Sequence, residues 1–233
     1  MPLFLCIETS TSVCSVSLVH DGHILAIREN AGTMLHAEQT AVFIQEVFQD
    51  SGISKSELDA VAVGGGPGSY TGLRIGTSTA KGLCYALDKP LLSVPTLLGM
   101  ASGALLNIVS DHGNALMCPM IDARRMEVYS AIYDSSLHEK INVDSVIVDE
   151  KSFFDVMDES VVWFFGDGMH KCKHLLGAHP NARFIDDFVH SSSYLYGPAS
   201  VAWKEGRTEH IGLYEPFYFK EFVAGKGSVS PRN

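Results

Sequence analysis

Hydrophobic positions along the first third of the chain change their period more than once. Residues 3–8 form a short apolar run, Val13-Cys14-Ser15-Val16-Ser17-Leu18-Val19 alternates in part, and 24–29 resumes after His20-Asp21-Gly22-His23. Asp-Gly between two such runs signals a type I′ hairpin, because Gly tolerates the positive φ that this turn requires. Three antiparallel strands are therefore expected at the start. From Met34 to Gln49 the period becomes helical, with Ala37, Ala41, Ile44 and Phe48 on one stripe and Phe43 and Val47 widening it on one side. Ser51-Gly52 ends this helix. Ser56 to Val63 closes in a small buried strand, Ala60-Val61-Ala62-Val63, and Gly64-Gly65-Gly66-Pro67-Gly68-Ser69-Tyr70-Thr71-Gly72 follows. Leu73, Thr77, Ala80, Cys84 and Leu87 then share a face of a second helix, so the predicted order is βββαβα.

The second half repeats these devices. After Pro90 to Pro95 and a small-residue helix from Thr96 to Val109, the apolar run Leu116 to Ile121 ends on Asp122. Met126 to Tyr133 follows through the tight connection Asp122-Ala123-Arg124-Arg125, as the strand ending on Glu8 turns straight into 13–19. Val161 to Phe165 runs into Gly166-Asp167-Gly168 and a helical Met169 to Leu176, as Val61-Ala62-Val63 runs into Gly64-Gly65-Gly66. Two matches in the same order point to an internal duplication. The fold class expected is α/β, with two similar subdomains, each an antiparallel ribbon beside parallel strands with covering helices. The boundaries fall at 1–98 and 99–214. Within the second, 197–206 reads as a helix with Pro198 in its first turn. Residues 215–222 read as an extended segment returning to the first subdomain, and 223–233 as a flexible Gly/Ser/Pro tail.

Composition narrows the function classes. A chain of 233 residues that is 46% hydrophobic and 19% charged has ample core material, which excludes disorder as its main state. Lys plus Arg number 17 against 27 Asp plus Glu, and a net charge of −10 repels a phosphate backbone, so autonomous nucleic-acid binding is not expected. The opening Met1 to Ile7 lacks a basic segment and its apolar run stops at Glu8, so no signal peptide is expected; nor does any stretch reach the roughly 18 apolar residues that span a bilayer. Five scattered cysteines without a CxxC pair fit reduced thiols and a cytoplasmic protein.

Several residues are candidates for chemistry. The glycine-rich loop has neither the Gly-Lys-Ser/Thr close of a Walker A motif nor the G-x-G-x-x-G spacing of a dinucleotide fingerprint. Its backbone N–H groups around Gly66, Gly68, Ser69, Tyr70 and Thr71 run into a helix N-terminus and suit an anion. Its small side chains suit close packing of loop and helix equally well, and the pattern leaves both readings open. Glu8 and Asp122 end equivalent strands, a placement fit to hold a metal–phosphate or a water across a cleft, or simply to solvate strand ends. His170 and His174 stand one helical turn apart with Cys172 between them and His179 beyond, as two zinc ligands can. No acidic base accompanies them, and Lys171 and Lys173 favour a solvated face, so no metal site is expected. His36, at a helix start, reads as a cap or surface group. No Gly-x-Ser-x-Gly elbow is present and no cysteine has an activating context, which removes serine and cysteine hydrolase chemistry.

Five segments together resemble the bacterial TsaB (YeaZ) family: Ile7 to Thr11, Leu35 to Gln39, Gly64 to Gly76, Ile121 to Tyr129 and Glu215 to Tyr218. The most specific is Gly-Pro-Gly-Ser-Tyr-Thr-Gly-Leu-Arg-Ile-Gly, ending at Gly76; Ile-Asp-Ala-Arg followed by Glu-Val-Tyr is second. The resemblance implies an actin-like, hexokinase-like ATPase (ASKHA) fold with two ribonuclease-H-like subdomains, and a role in making tRNA N6-threonylcarbamoyladenosine. In that family's system the paralogue TsaD carries the metal and transfers the threonylcarbamoyl group, and the ATPase TsaE joins the assembly. The TsaB subunit docks on TsaD through its N-terminal helices and is regarded as catalytically silent. By the same resemblance tRNA is reached indirectly through the complex, and the chain pairs with itself when TsaD is absent. No cofactor is expected in the isolated subunit, with a nucleotide only at the partner interface.

Two departures bear on catalysis. The His-x-x-x-His iron motif of the catalytic paralogue lies in its first half, where this chain has only His20, His23 and His36 without that spacing. Glu8 stands where the family usually shows Asp. The wide stripe at Phe43 and Val47, with His36 and the small or polar Gly72, Gly76 and Thr79 of the next helix, is expected to form the partner interface. The alternatives are an ATP-dependent small-molecule kinase of the same superfamily, for which the glycine loop and Asp122 leave room, and a metalloprotease-like protein.

Overall fold

The computed structural model describes residues 2–32, 36–107 and 115–220. Outside them lie the helix start expected at Met34, the helix end expected at Val109, the last two residues of the return segment, and the 223–233 tail.

Two five-stranded sheets carry the molecule. In the first, β1 (Leu3–Glu8), β2 (Val13–His20) and β3 (His23–Ala31) form an antiparallel meander. Asp21 and Gly22 link β2 to β3 with φ of 52° and 78°, both left-handed as a type I′ turn demands. β4 (Ala60–Gly64) lies parallel to β1 with Val63 opposite Ile7, and β5 (Leu91–Val94) lies parallel to β4. The strand order is β3-β2-β1-β4-β5. The second sheet comprises β6 (Leu116–Asp122), β7 (Glu127–Tyr133), β8 (Glu139–Ile147), β9 (Val162–Phe165) and β10 (Ala182–Ile185) in the order β8-β7-β6-β9-β10. Every strand of the first sheet has a counterpart five places later in the same position and direction, which is the duplication expected from the sequence.

Side-chain alternation along β1 decides what each face of the first sheet meets. Leu3, Leu5 and Ile7 point to α1 (His36–Ser51) and α2 (Tyr70–Leu87), where Ile44, Val47, Phe48, Ala80 and Cys84 complete the core. Phe4 and Cys6 point to the opposite face, and Glu8 follows them by the same alternation.

The helices that cover the remaining faces are exchanged between the halves. α3 (Thr96–Asn107) leaves the first sheet and sets Leu97, Met100, Ala101 and Ala104 against Met117, Ile121, Ala131 and Phe165 of the second. The far side of that sheet is covered by α4 (Phe154–Met157) and α5 (Met169–Leu176). The chain then comes back: a 3-10 turn at Ser192–Leu195 and α6 (Tyr196–Lys204) place Leu195, Ala199 and Ala202 on Phe4, Cys6, Leu92 and Val94. Thus α6, assigned to 99–214 by the sequence division, packs on the first sheet.

Beyond α6 the chain runs as an extended strap. Glu209 N–H donates to the Leu91 carbonyl (2.9 Å) and Phe217 N–H to that of Gly65 (2.7 Å). Tyr218 lies tilted against Tyr70 (4.9 Å between ring centres), while Phe219 meets Tyr129 (5.4 Å) and Lys220 pairs with Glu127 of the second sheet. The segment expected to return to the first subdomain therefore touches both.

Candidate functional site

The β1–β2 connection, Thr9 to Ser12, folds onto the start of α2, and the glycine-rich segment is what lets it. Ser69 N–H donates to the Ser10 carbonyl (2.7 Å) and Thr9 Oγ1 donates to the Gly72 carbonyl (2.8 Å). A Cβ on Gly72 would run into the Thr9 carbonyl oxygen, one on Gly76 into Thr9 Oγ1, and one on Gly68 into Ser10. Other N–H groups of the segment are also engaged: Gly65 with the Val94 carbonyl (2.8 Å), Gly66 with Thr96 Oγ1 (3.0 Å), and Gly72 with Ser69 Oγ, which caps α2 (3.3 Å). Tyr70 and Thr71 form the first turn of α2, Thr71 exposed and Tyr70 half-buried with its hydroxyl accepting from Arg74 (3.2 Å).

Glu8 is fully buried at the end of β1. One carboxylate oxygen accepts the Ser10 N–H (2.6 Å), and the other lies 3.6 Å from Nε2 of His190, itself buried. A Cβ on Gly64 would collide with this carboxylate, so the glycine at the end of β4 makes room for it. Glu8 Oε2, Ser10 Oγ and both ring nitrogens of His190 are buried without a hydrogen-bond partner among the described residues. Burial pushes the His190 ring below its ordinary pKa, against the opposing pull of the Glu8, Asp167 and Glu29 carboxylates. Next to this pair Ser192 Oγ donates to Ser17 Oγ (2.8 Å) and Ser192 N–H to Ser15 Oγ (2.8 Å), whose own proton goes to Glu29 (2.7 Å). These buried hydroxyls pin the returning chain to β2.

Asp122, at the end of β6, is exposed. Its Oδ1 accepts the Arg124 N–H (2.7 Å) and pairs with Lys171 of α5, while its own N–H donates to Asp167 Oδ1 (3.0 Å). The two acids end the central strands of their sheets, but one is sealed beside a histidine and the other is solvated beside a lysine. No spacing signal marks His190 in Asp186-Asp187-Phe188-Val189-His190; only the return of the chain to the first sheet brings it to Glu8.

The ATPase fold class implies a nucleotide, whose phosphates need donors at such loops. Here the first loop turns its Ser10 N–H onto Glu8, and Glu8 fills the space beside it with a buried carboxylate, which repels phosphate. This loop does not fit a phosphate. His170 and His174 lie on the exposed face of α5, and among the described residues no group of three or more His, Cys, Asp or Glu side chains is placed to hold a metal.

Of the residues expected at a partner interface, Val47 requires correction. It is 0% exposed and lies in the core with Ile44 and Phe48, because α1 packs against both the sheet and α2. Gly72 and Gly76 are buried under the Thr9 loop. Phe43 and Thr79 are half-buried, and His36 hydrogen-bonds through Nε2 to the Thr11 carbonyl (3.0 Å). The outward surface of the two helices presents instead Val42, 50% exposed, and Tyr85, 81% exposed, with open space over Gly82.

Twin sheets of order 3-2-1-4-5 with exchanged helices define the two-lobed ASKHA class of ATPase folds. The polyphosphate/ATP-glucomannokinase of an Arthrobacter strain shares this fold at a TM-score of 0.52, over 88% of this chain and all of that one, with 10% identity. YeaZ from Pseudomonas aeruginosa superposes at a TM-score of 0.75 over 94% of this chain and all of its own, with 26% identity. The family described as TsaD, tRNA N6-adenosine threonylcarbamoyltransferase, matches residues 30–180. The tRNA threonylcarbamoyladenosine biosynthesis protein TsaB of Escherichia coli is 39% identical over 95% of this chain and 96% of its own length. The chain belongs to the TsaB (YeaZ) family of tRNA threonylcarbamoyladenosine biosynthesis proteins. No helix among the described residues is long and apolar enough to cross a membrane.

Proposed function

We propose that this chain is the non-catalytic partner subunit of the threonylcarbamoyladenosine assembly, docking on TsaD through the outward faces of α1 and α2. The observation that carries the reading is the pair of exposed apolar side chains, Val42 and Tyr85, on two adjacent helices whose inner faces are already filled. A large aromatic left 81% exposed is costly in water and favourable in an interface. The sealed Glu8 supports a silent subunit, since the acid nearest the first loop is unavailable to a substrate or metal. The net charge of −10 supports tRNA being held mainly by other subunits.

The double variant Val42→Asp with Tyr85→Asp should keep the circular dichroism and melting curve of the parent and lose co-purification with TsaD. Retained complex would refute the docking face. Without TsaD the same face pairs two copies of the chain, and the same variant should then elute as a monomer. Depletion of the protein with measurement of threonylcarbamoyladenosine in tRNA tests the wider role, which a normal level would sink. A kinase reading is revived by tight ATP binding to the isolated chain in calorimetry.

A further inference from the structure

A cavity of about 440 Å³ opens at the seam of the two lobes, and neither Glu8 nor any residue of α1 or α2 lines it. Five parts of the chain wall it: the loop after β4, the end of β5, the start of α3, the β7–β8 hairpin and the C-terminal strap. Its volume lies within the range in which proteins enclose small ligands.

The lining has a consistent chemistry. Three aromatic rings face it, Tyr133 from β7 and Tyr214 and Phe217 from the strap, beside aliphatic wall residues such as Leu98. Among the described residues the charged ones that line it are two carboxylates, Glu139 and Glu215, with no Lys or Arg. Tyr214 is held in place by its hydroxyl against Ser93 Oγ (2.7 Å), so one ring of the wall is fixed by the first sheet. Glu215 also borders a second cavity along α2, where Arg74 and Lys81 stand and Lys81 donates to the Tyr214 carbonyl (3.0 Å), so Glu139 is the carboxylate that belongs to this cavity alone.

Aromatic faces attract cations through their quadrupole, and carboxylates do so through charge. Anions such as phosphates meet the repulsion of these two carboxylates. We propose that this cavity is a binding site for a small organic cation, an amine or quaternary ammonium group on an apolar body. The rings take the charged head, the carboxylates neutralise it, and Leu98 with its neighbours buries the body.

Calorimetry of the full chain with benzyltrimethylammonium, and with phenylacetate as an anion of similar body, tests the site. Saturable binding of the cation alone is expected. The double variant Glu139→Gln with Glu215→Gln keeps the volume and should weaken that binding by roughly fivefold or more. Leu98→Trp puts a larger ring into the apolar wall and should weaken it as well. No saturable binding of the cation, equal binding of phenylacetate, or an affinity unchanged in the double variant would each overturn the proposal. The double variant alters exposed residues and keeps the test decisive if Leu98→Trp fails to fold.

Discussion

The imidazole of His190 faces the carboxylate of Glu8 at 3.6 Å, and both side chains are buried. Burial holds the folded-state pKa of His190 below its ordinary 6.5, so as pH falls the unfolded chain takes up this proton first. The stability it contributes is complete above about pH 6.5 and is lost as pH drops through the folded value. The melting temperature should therefore decline from about pH 7 to 5.5, and His190→Gln should flatten that decline. A wild-type curve level across this window would contradict the assignment.

Two glycines of α2 should respond to alanine in opposite directions. At Gly72 the new methyl meets the Thr9 carbonyl, which is backbone and cannot turn aside, so Gly72→Ala should cost about 1–3 kcal/mol. At Gly82 no described residue lies within reach of a Cβ, and Gly82→Ala should gain up to about 1 kcal/mol from helix propensity. Urea melts of the isolated protein read both.

Val47→Asp should fail as an interface probe because it buries a carboxylate in the α1 core. A loss of about 3–5 kcal/mol is expected, enough to unfold a typical domain or strip most of its stability. Chemical denaturation measures it, and a variant as stable as wild type would show that the α1 core opens at this position.

All five cysteines are buried thiols. Burial pushes Cys6 and Cys118 up to about 12 and Cys84 up to about 11, so the reactive thiolate is scarce and sterically shielded. A disulfide-type thiol reagent at about pH 8 should label none of them in the folded protein within minutes and all five in denaturant. Rapid labelling of the native chain would count against the packing around these strands.

The duplication was legible because its signals are local: the Asp21-Gly22 turn, the apolar runs and the glycines after β4 and β9 all act on neighbouring residues. β5 and β10, at four residues each, are too short to show a period, and β8 is an edge strand whose nine residues include no buried one. They form because a partner strand offers hydrogen bonds, which a single segment does not reveal. The same holds at the candidate site. Glu8 stood out as a polar end to an apolar run, but its buried neighbour His190 is 182 positions away in sequence and adjacent only through the return of the chain. The α1 stripe gave the right helix and the wrong free side, since periodicity identifies an apolar face without saying how far its edge is covered. That is why Val47 lies inside while Val42, off the stripe, lies outside.

The exchange of α3 and α6 sets a timetable on the ribosome. The strands of the first sheet are all made by Val94, yet the residues that cover Phe4, Leu92 and Val94 are Leu195, Ala199 and Ala202. For the next hundred or so residues of synthesis, one face of that sheet has no lid from its own chain. Closure of the earliest-made lobe thus awaits some of the last-made residues, and the newborn protein must shield an apolar face, about 2 kcal/mol for each large side chain, until they emerge.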